Sequence, residues 1–170
     1  MTGTGRASIL YYLFLISFYA WPENSPEYIK SKNYYYENNL SAPEWNGGID
    51  SRQIEWLETL LHNADSTGKN VMIFSHFPLI EDEKHELWNS KEIYSLLIRH
   101  PSVKAYFCGH NHKGQYIKKA GIHFLTFPAL LETDDTTAYA IVKLAPDSII
   151  IDGIGRCPSY SLSINSINGI

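Results

Sequence analysis

An α/β fold is predicted from three features of this 170-residue sequence. Two short apolar runs, Val71 to Ser75 and Val103 to Phe107, read as buried strands. Each is preceded by a segment of helical period. Each also ends in histidine: His76 after the first, and Gly109-His110-Asn111-His112 after the second. Strands that deliver such residues from their carboxyl ends are how α/β folds place chemistry.

Arg6 precedes Ala7 to Trp21, an apolar, tyrosine-rich run. Its aromatic and β-branched residues suit a core strand. It imitates the hydrophobic region of a signal peptide but lacks a small-x-small cleavage site, and it is short for a membrane span. A signal or membrane anchor is the alternative reading. Residues 22 to 49 hold no period and carry Pro22, Pro26 and Pro43, so a long surface excursion is expected. Asp50 with Gln53 three residues on forms a capping-box pattern, and Ile54, Leu57 and Leu61 then share a helical face until Gly68.

Leu79 to Asn89 is a second irregular stretch. Its acidic run Glu81, Asp82 and Glu83 reads first as a solvated loop and second as a source of metal ligands, and the loop should overhang whatever His76 binds. Ser90 is expected to cap a short helix with Ile93, Leu96 and Leu97 inward, closed by His100-Pro101. Ala120-Gly121 joins Tyr116–Lys119 to Ile122–Phe127 as a hairpin, and Ala138–Leu144 pairs with Ser148–Asp152 as another. After Gly153 a fraying polar tail is expected.

At 44% hydrophobic content the chain can bury one core, so a single domain over 1–170 is predicted. A net charge of -4 without a basic cluster argues against nucleic acid and against a polybasic membrane contact. Cys108 and Cys157 match no zinc or redox spacing. A packed, inert Cys108 thiol and a cytoplasmic setting are expected, with a disulfide the lesser reading.

Two imidazoles at i and i+2 in a glycine-bracketed turn point to different neighbouring positions, which suits two metal ions better than one. A single histidine after a strand is usually only a hydrogen-bonded surface residue. Ser75-His76-Phe77-Pro78 followed by Gly109-His110-Asn111-His112 resembles the final two motifs of the calcineurin-like metallophosphoesterases. Trp45-Asn46-Gly47-Gly48-Ile49, Trp88-Asn89 and Gly153-Ile154-Gly155-Arg156-x-Pro158 resemble the manganese-dependent ADP-ribose/CDP-alcohol diphosphatase branch.

The resemblance, over residues 9 to about 160, implies a mixed β-sandwich flanked by helices and two divalent ions, manganese, iron or zinc. It implies His76 and His110 as ligands of one ion and His112 as a ligand of the other. The implied reaction is hydrolysis of a nucleoside-diphosphate-linked small molecule, with a phosphomonoester or cyclic nucleotide as the alternative. His62, His85, His100 and His123 are expected outside the cluster.

The family also carries Asp-x-His, Gly-Asp and Gly-Asn-His motifs ahead of Ser-His, and this sequence has none of them. The expectation is therefore the second half of the sandwich, inactive alone and holding at most one ion weakly. A truncated form, one half of a split enzyme that meets a separate amino-terminal half, and a non-catalytic binding module are the three readings. Such a half is expected to expose an apolar face, with the first strand at its edge.

Overall fold

The computed structural model describes residues 8–12, 17, 20–38, 40 and 42–164. A five-stranded sheet forms the middle layer, in the order β1-β2-β3-β5-β4. Its strands are β1 (Ser8–Tyr12), β2 (Asn70–Phe74), β3 (Val103–Cys108), β4 (Gln115–Lys119) and β5 (Ile122–Thr126). β1, β2, β3 and β5 run parallel, and β4 turns back antiparallel on β5. The expected first strand is thus present over Ser8–Tyr12 and lies at the end of this sheet; the rest of that apolar run is mostly outside the described residues. No helix among the described residues is long and apolar enough to cross a membrane.

Because successive strand residues face opposite ways, one sheet can serve two cores. Val71, Ile73, Tyr106, Cys108, Ile122 and Phe124 face the helices, where Leu57, Leu61, Ile93 and Leu97 cover them. Met72, Ala105, Phe107 and Leu125 face the other way, onto Ile149, Ile151 and Leu162. Those three belong to a three-stranded antiparallel sheet of β6 (Ala138–Leu144), β7 (Ser148–Gly155) and β8 (Tyr160–Ser163). The layers therefore run helices, parallel sheet, antiparallel sheet. Leu57 and Leu61 are fully buried, each contributing about 1.5–3 kcal/mol.

Three expectations need correction. Residues 26–37 are not irregular: α1 (Pro26–Glu37) is a 12-residue helix capped by Ser25, whose side chain accepts from the Tyr28 N–H, with Pro26 in its first turn. That Ser-Pro start is a strong helix signal; the interior escaped because it shows no apolar period. The chain after Gly153 does not fray at once, since β7 runs to Gly155 and β8 pairs with it. Arg156 and Cys157 lie in the turn between β7 and β8, and residues 165–170 fall outside the described residues. Ser90 does not cap α3 (Ser90–Leu97); it is the first helical residue and its hydroxyl donates to Glu86.

α2 (Ser51–Thr67) begins as read, with Asp50 Oδ1 accepting from the Gln53 N–H at 2.9 Å, and ends at Gly68 in the left-handed region. The reciprocal arm of the capping box is not made, because Gln53 Oε1 has no partner. Ala120 and Gly121, both with positive φ, close the β4–β5 hairpin. Cys108 and Cys157 are free thiols. Burial pushes the Cys108 thiol up to about 12, so it stays an inert packed group at neutral pH.

Candidate functional site

β2 and β3 lie side by side and parallel, so their carboxyl ends finish together. His76 follows β2 and His110 follows β3, with the Gly109 N–H donating to the His76 carbonyl at 3.0 Å. The two rings meet. His110 Nδ1 lies 3.2 Å from His76 Nε2, with ring centroids 5.0 Å apart. Phe77 packs edge-on against both rings. His110 holds φ at 64°, a left-handed conformation that costs a non-glycine residue about 1–2 kcal/mol.

The other nitrogen of His110 has a defined partner. Asn46 is wholly buried, and its Nδ2 donates to the Lys84 and Glu86 carbonyls at 3.2 and 2.8 Å. Both donors are thus committed, which turns Oδ1 toward His110 Nε2 at 3.0 Å. Nε2 must then carry the proton. In the neutral ring this leaves Nδ1 as a bare lone pair, aimed at His76.

Burial first, then repulsion from His76, His85 and His112, pushes the His110 imidazole down to about 4, against a smaller opposing pull from Asp82. Burial and the charge of His112 lower His76 as well. Both rings are therefore neutral at pH 7, the protonation state a metal ion requires. The 3.2 Å between Nδ1 and Nε2 also fits two ligands at about 2.1 Å from one ion with a near-tetrahedral angle between them. The donor set and its spacing fit a divalent cation.

His112 acts on both rings through its charge but has a partner of its own. Its Nδ1–H donates to the Glu132 carboxylate, on the loop between β5 and β6, and this leaves Nε2 as its free donor atom. Arg156 donates to the Ala129 carbonyl at 2.8 Å and ties that loop to the β7–β8 turn. The turn needs its glycines: a Cβ on Gly153 would come within 2.1 Å of the Cys157 carbonyl oxygen, and one on Gly155 within 2.0 Å of that of Thr137. The Gly-x-Gly-Arg stretch thus supports the site from a distance.

One expectation about the surrounding histidines is wrong. His85 is part of the cluster, its ring centroid 5.5 Å from that of His110. It arrives there because Asp82 Oδ1 accepts from its Nδ1 at 2.7 Å while Asp82 Oδ2 accepts from Asn111 at 2.7 Å. Asp82 therefore belongs to the site as an anchor between the 79–89 loop and the histidine turn, and not to a solvated run. Glu81 and Glu83 stay outward; Glu81 pairs with Lys119. His62 and His100 meet edge to face elsewhere, and His123 bonds Tyr116 and the Ser163 carbonyl.

Asn46 and Glu132 were not legible as site residues. Asn46 is 64 positions from His110 in sequence, and only its place in the Trp45–Ile49 stretch marked it. That stretch and Trp88-Asn89 meet directly. Trp88 N–H donates to the Gly47 carbonyl at 2.8 Å, and the Asn89 side chain both donates to and accepts from the Ile49 backbone.

No protein-family model matches the chain. It is 33% identical over 158 residues to the manganese-dependent ADP-ribose/CDP-alcohol diphosphatase of Xenopus tropicalis, covering 82% of this chain and 46% of that protein. The human protein of the same name is 29% identical over 154 residues, covering 80% and 45%. The solved structure of a dimetal phosphatase from Danio rerio superposes with a TM-score of 0.77 at 25% identity, over 88% of this chain and 55% of that one. The chain thus spans about half the length of the curated relatives it matches.

Proposed function

We propose that this chain, a relative of the manganese-dependent ADP-ribose/CDP-alcohol diphosphatases with the fold of a dimetal phosphatase, supplies histidine ligands to a metal-dependent phosphohydrolase. Its substrates are nucleoside-diphosphate-linked small molecules such as ADP-ribose or CDP-alcohols. The observation that carries this reading is the His76–His110 contact at 3.2 Å. His76 and His110 would hold one ion, and His112 would serve a second. Bound divalent ions would neutralise phosphoryl charge and lower the pKa of a coordinated water.

The chain's own residues hold protons where that task needs them. Asn46 keeps the His110 proton on Nε2 and frees Nδ1. Glu132 keeps the His112 proton on Nδ1 and frees Nε2. Asp82 fixes Asn111 and His85 beside them. Asp82 spends its two oxygens on His85 and Asn111 and Glu132 spends one on His112, so neither carboxylate has both oxygens free to bridge two ions. The 170-residue chain alone is accordingly inactive and holds at most one ion weakly. Two free thiols and a nucleotide-linked substrate favour the cytoplasm.

The test is complementation. The isolated chain with manganese should leave ADP-ribose, CDP-choline, an aryl phosphomonoester and a cyclic nucleotide unhydrolysed. Co-expression with a segment bearing Asp-x-His and Gly-Asn-His motifs should give turnover of the first two, lost on substituting His76, His110 or His112 by Ala. Turnover that survives His110→Ala would overturn the ligand assignment. Absence of turnover in every combination would favour the non-catalytic module.

A further inference from the structure

We propose that Glu58, His62 and His100 form a separate binding site for a borderline divalent cation, zinc in the first place. It lies at the opposite end of the parallel sheet from His76 and His110. Asp65 closes the helix that precedes β2, and Ser102 precedes β3, so this corner sits at the amino ends of those strands. Among the described residues, these three are the trio of His, Cys, Asp or Glu whose ligand atoms lie within 4.8 Å of one another.

The arrangement follows from helix geometry. Glu58 and His62 are four apart on α2, so they lie one above the other on one face. His100 comes to meet them from the turn after α3, its ring 4.8 Å from that of His62, centroid to centroid. The third ligand is built in. The His100 side chain is only 3% exposed, and its Nδ1–H donates to Asp65 Oδ2 at 2.7 Å. Asp65 is itself held by the Ser102 N–H at 2.9 Å.

Asp65 thus accepts through both of its oxygens, Oδ1 from the Ser102 N–H and Oδ2 from His100 Nδ1–H. The carboxylate therefore fixes the tautomer of His100 and leaves Nε2 as the donor atom. A histidine held by a carboxylate on its far nitrogen is the arrangement metal ligands use, and two imidazoles with one carboxylate suit zinc with water in a fourth position. Glu58 has a competitor, since Arg99 Nη2 donates to its Oε1 at 3.2 Å. Its Oε2 remains.

Zinc chloride titrated into the full 170-residue chain at pH 7.5 tests this, read by the imidazole nitrogen signals in NMR and by calorimetry. Zinc should move the His62 and His100 ring signals. Because His100 is buried, the exposed ligands carry the mutational test: His62→Ala and Glu58→Gln should each weaken this binding at least as much as loss of an outer partner does, about 10- to 100-fold. Arg99→Ala should tighten it, a response that a purely structural role for these side chains would not give. The binding should persist in His110→Ala, which removes the other candidate centre. Zinc that leaves His62 and His100 unmoved, or binding lost in His110→Ala and kept in His62→Ala, would overturn the proposal.

Discussion

Asn46 shows how one buried amide sets the chemistry of a distant ring. Its two donors are spent on carbonyls of the 79–89 loop, so its oxygen can only accept, and His110 must place its proton there. The titration of His110 is set by its burial and by the histidines around it. Its folded pKa of about 4 lies below the ordinary imidazole range, so the unfolded chain takes up this proton first as the pH falls. The sign is therefore fixed: the contribution to stability is whole above about pH 6.5 and is lost as pH drops toward 4. An NMR titration of the ring nitrogens should place the His110 midpoint near 4. A midpoint above 6 would mean that burial and the neighbouring histidines do not act on it as described. The histidines themselves were legible in sequence, because a strand followed by Ser-His or Gly-His-x-His is a local pattern. The partners of His110 and His112 were not, because Asn46 and Glu132 reach them across loops that carry no period.

At the scale of elements, the clearest lesson is α1. Its Tyr28, Tyr34 and Tyr35 pack with Ala42 and Trp88 in a small cluster of their own, apart from both main cores. A helix that buries only part of itself against a loop has no reason to show a clean apolar stripe, and its cap was the only local sign of it. Trp88 is the pin. It is 5% exposed, its ring lies 5.2 Å from that of Tyr35, and its indole N–H donates to the Pro43 carbonyl. Trp88→Ala should therefore cost about 3 kcal/mol and do so unevenly. Amide exchange should accelerate over Pro26–Glu37 and over 43–49 far more than in β2 and β3. Uniform acceleration across the chain would show that α1 is not a separately held unit.

The whole molecule hangs on one sheet used from both sides. The helices and the antiparallel sheet touch opposite faces of β2, β3 and β5, and alternation along the strands assigns their residues to one side or the other. Val103 is the exception: it lies on the helix side although Ala105 faces the antiparallel sheet, because the register against β2 shifts between them. This much could be read from sequence for β2 and β3, whose apolar stretches Val71 to Phe74 and Ala105 to Cys108 mark strands covered on both faces. The third strand of the antiparallel sheet could not, because β8 offers only Leu162 as a fully inward apolar residue. Sharing a sheet has a consequence for unfolding. Three of the four tryptophans, Trp45, Trp56 and Trp88, lie in α2 and in the loops at 42–50 and 79–89, while Ile151 is fully buried between the sheets. Ile151→Ala opens a cavity that costs about 2–5 kcal/mol, and none of these tryptophans belongs to its cluster. If the shared strands couple the layers, tryptophan fluorescence and far-UV circular dichroism should still report one common urea midpoint in the variant, lowered from that of the parent protein. If instead fluorescence keeps the parent midpoint while the strand signal is lost early, the antiparallel sheet unfolds independently. The single-domain reading would then give way to two units that merely touch.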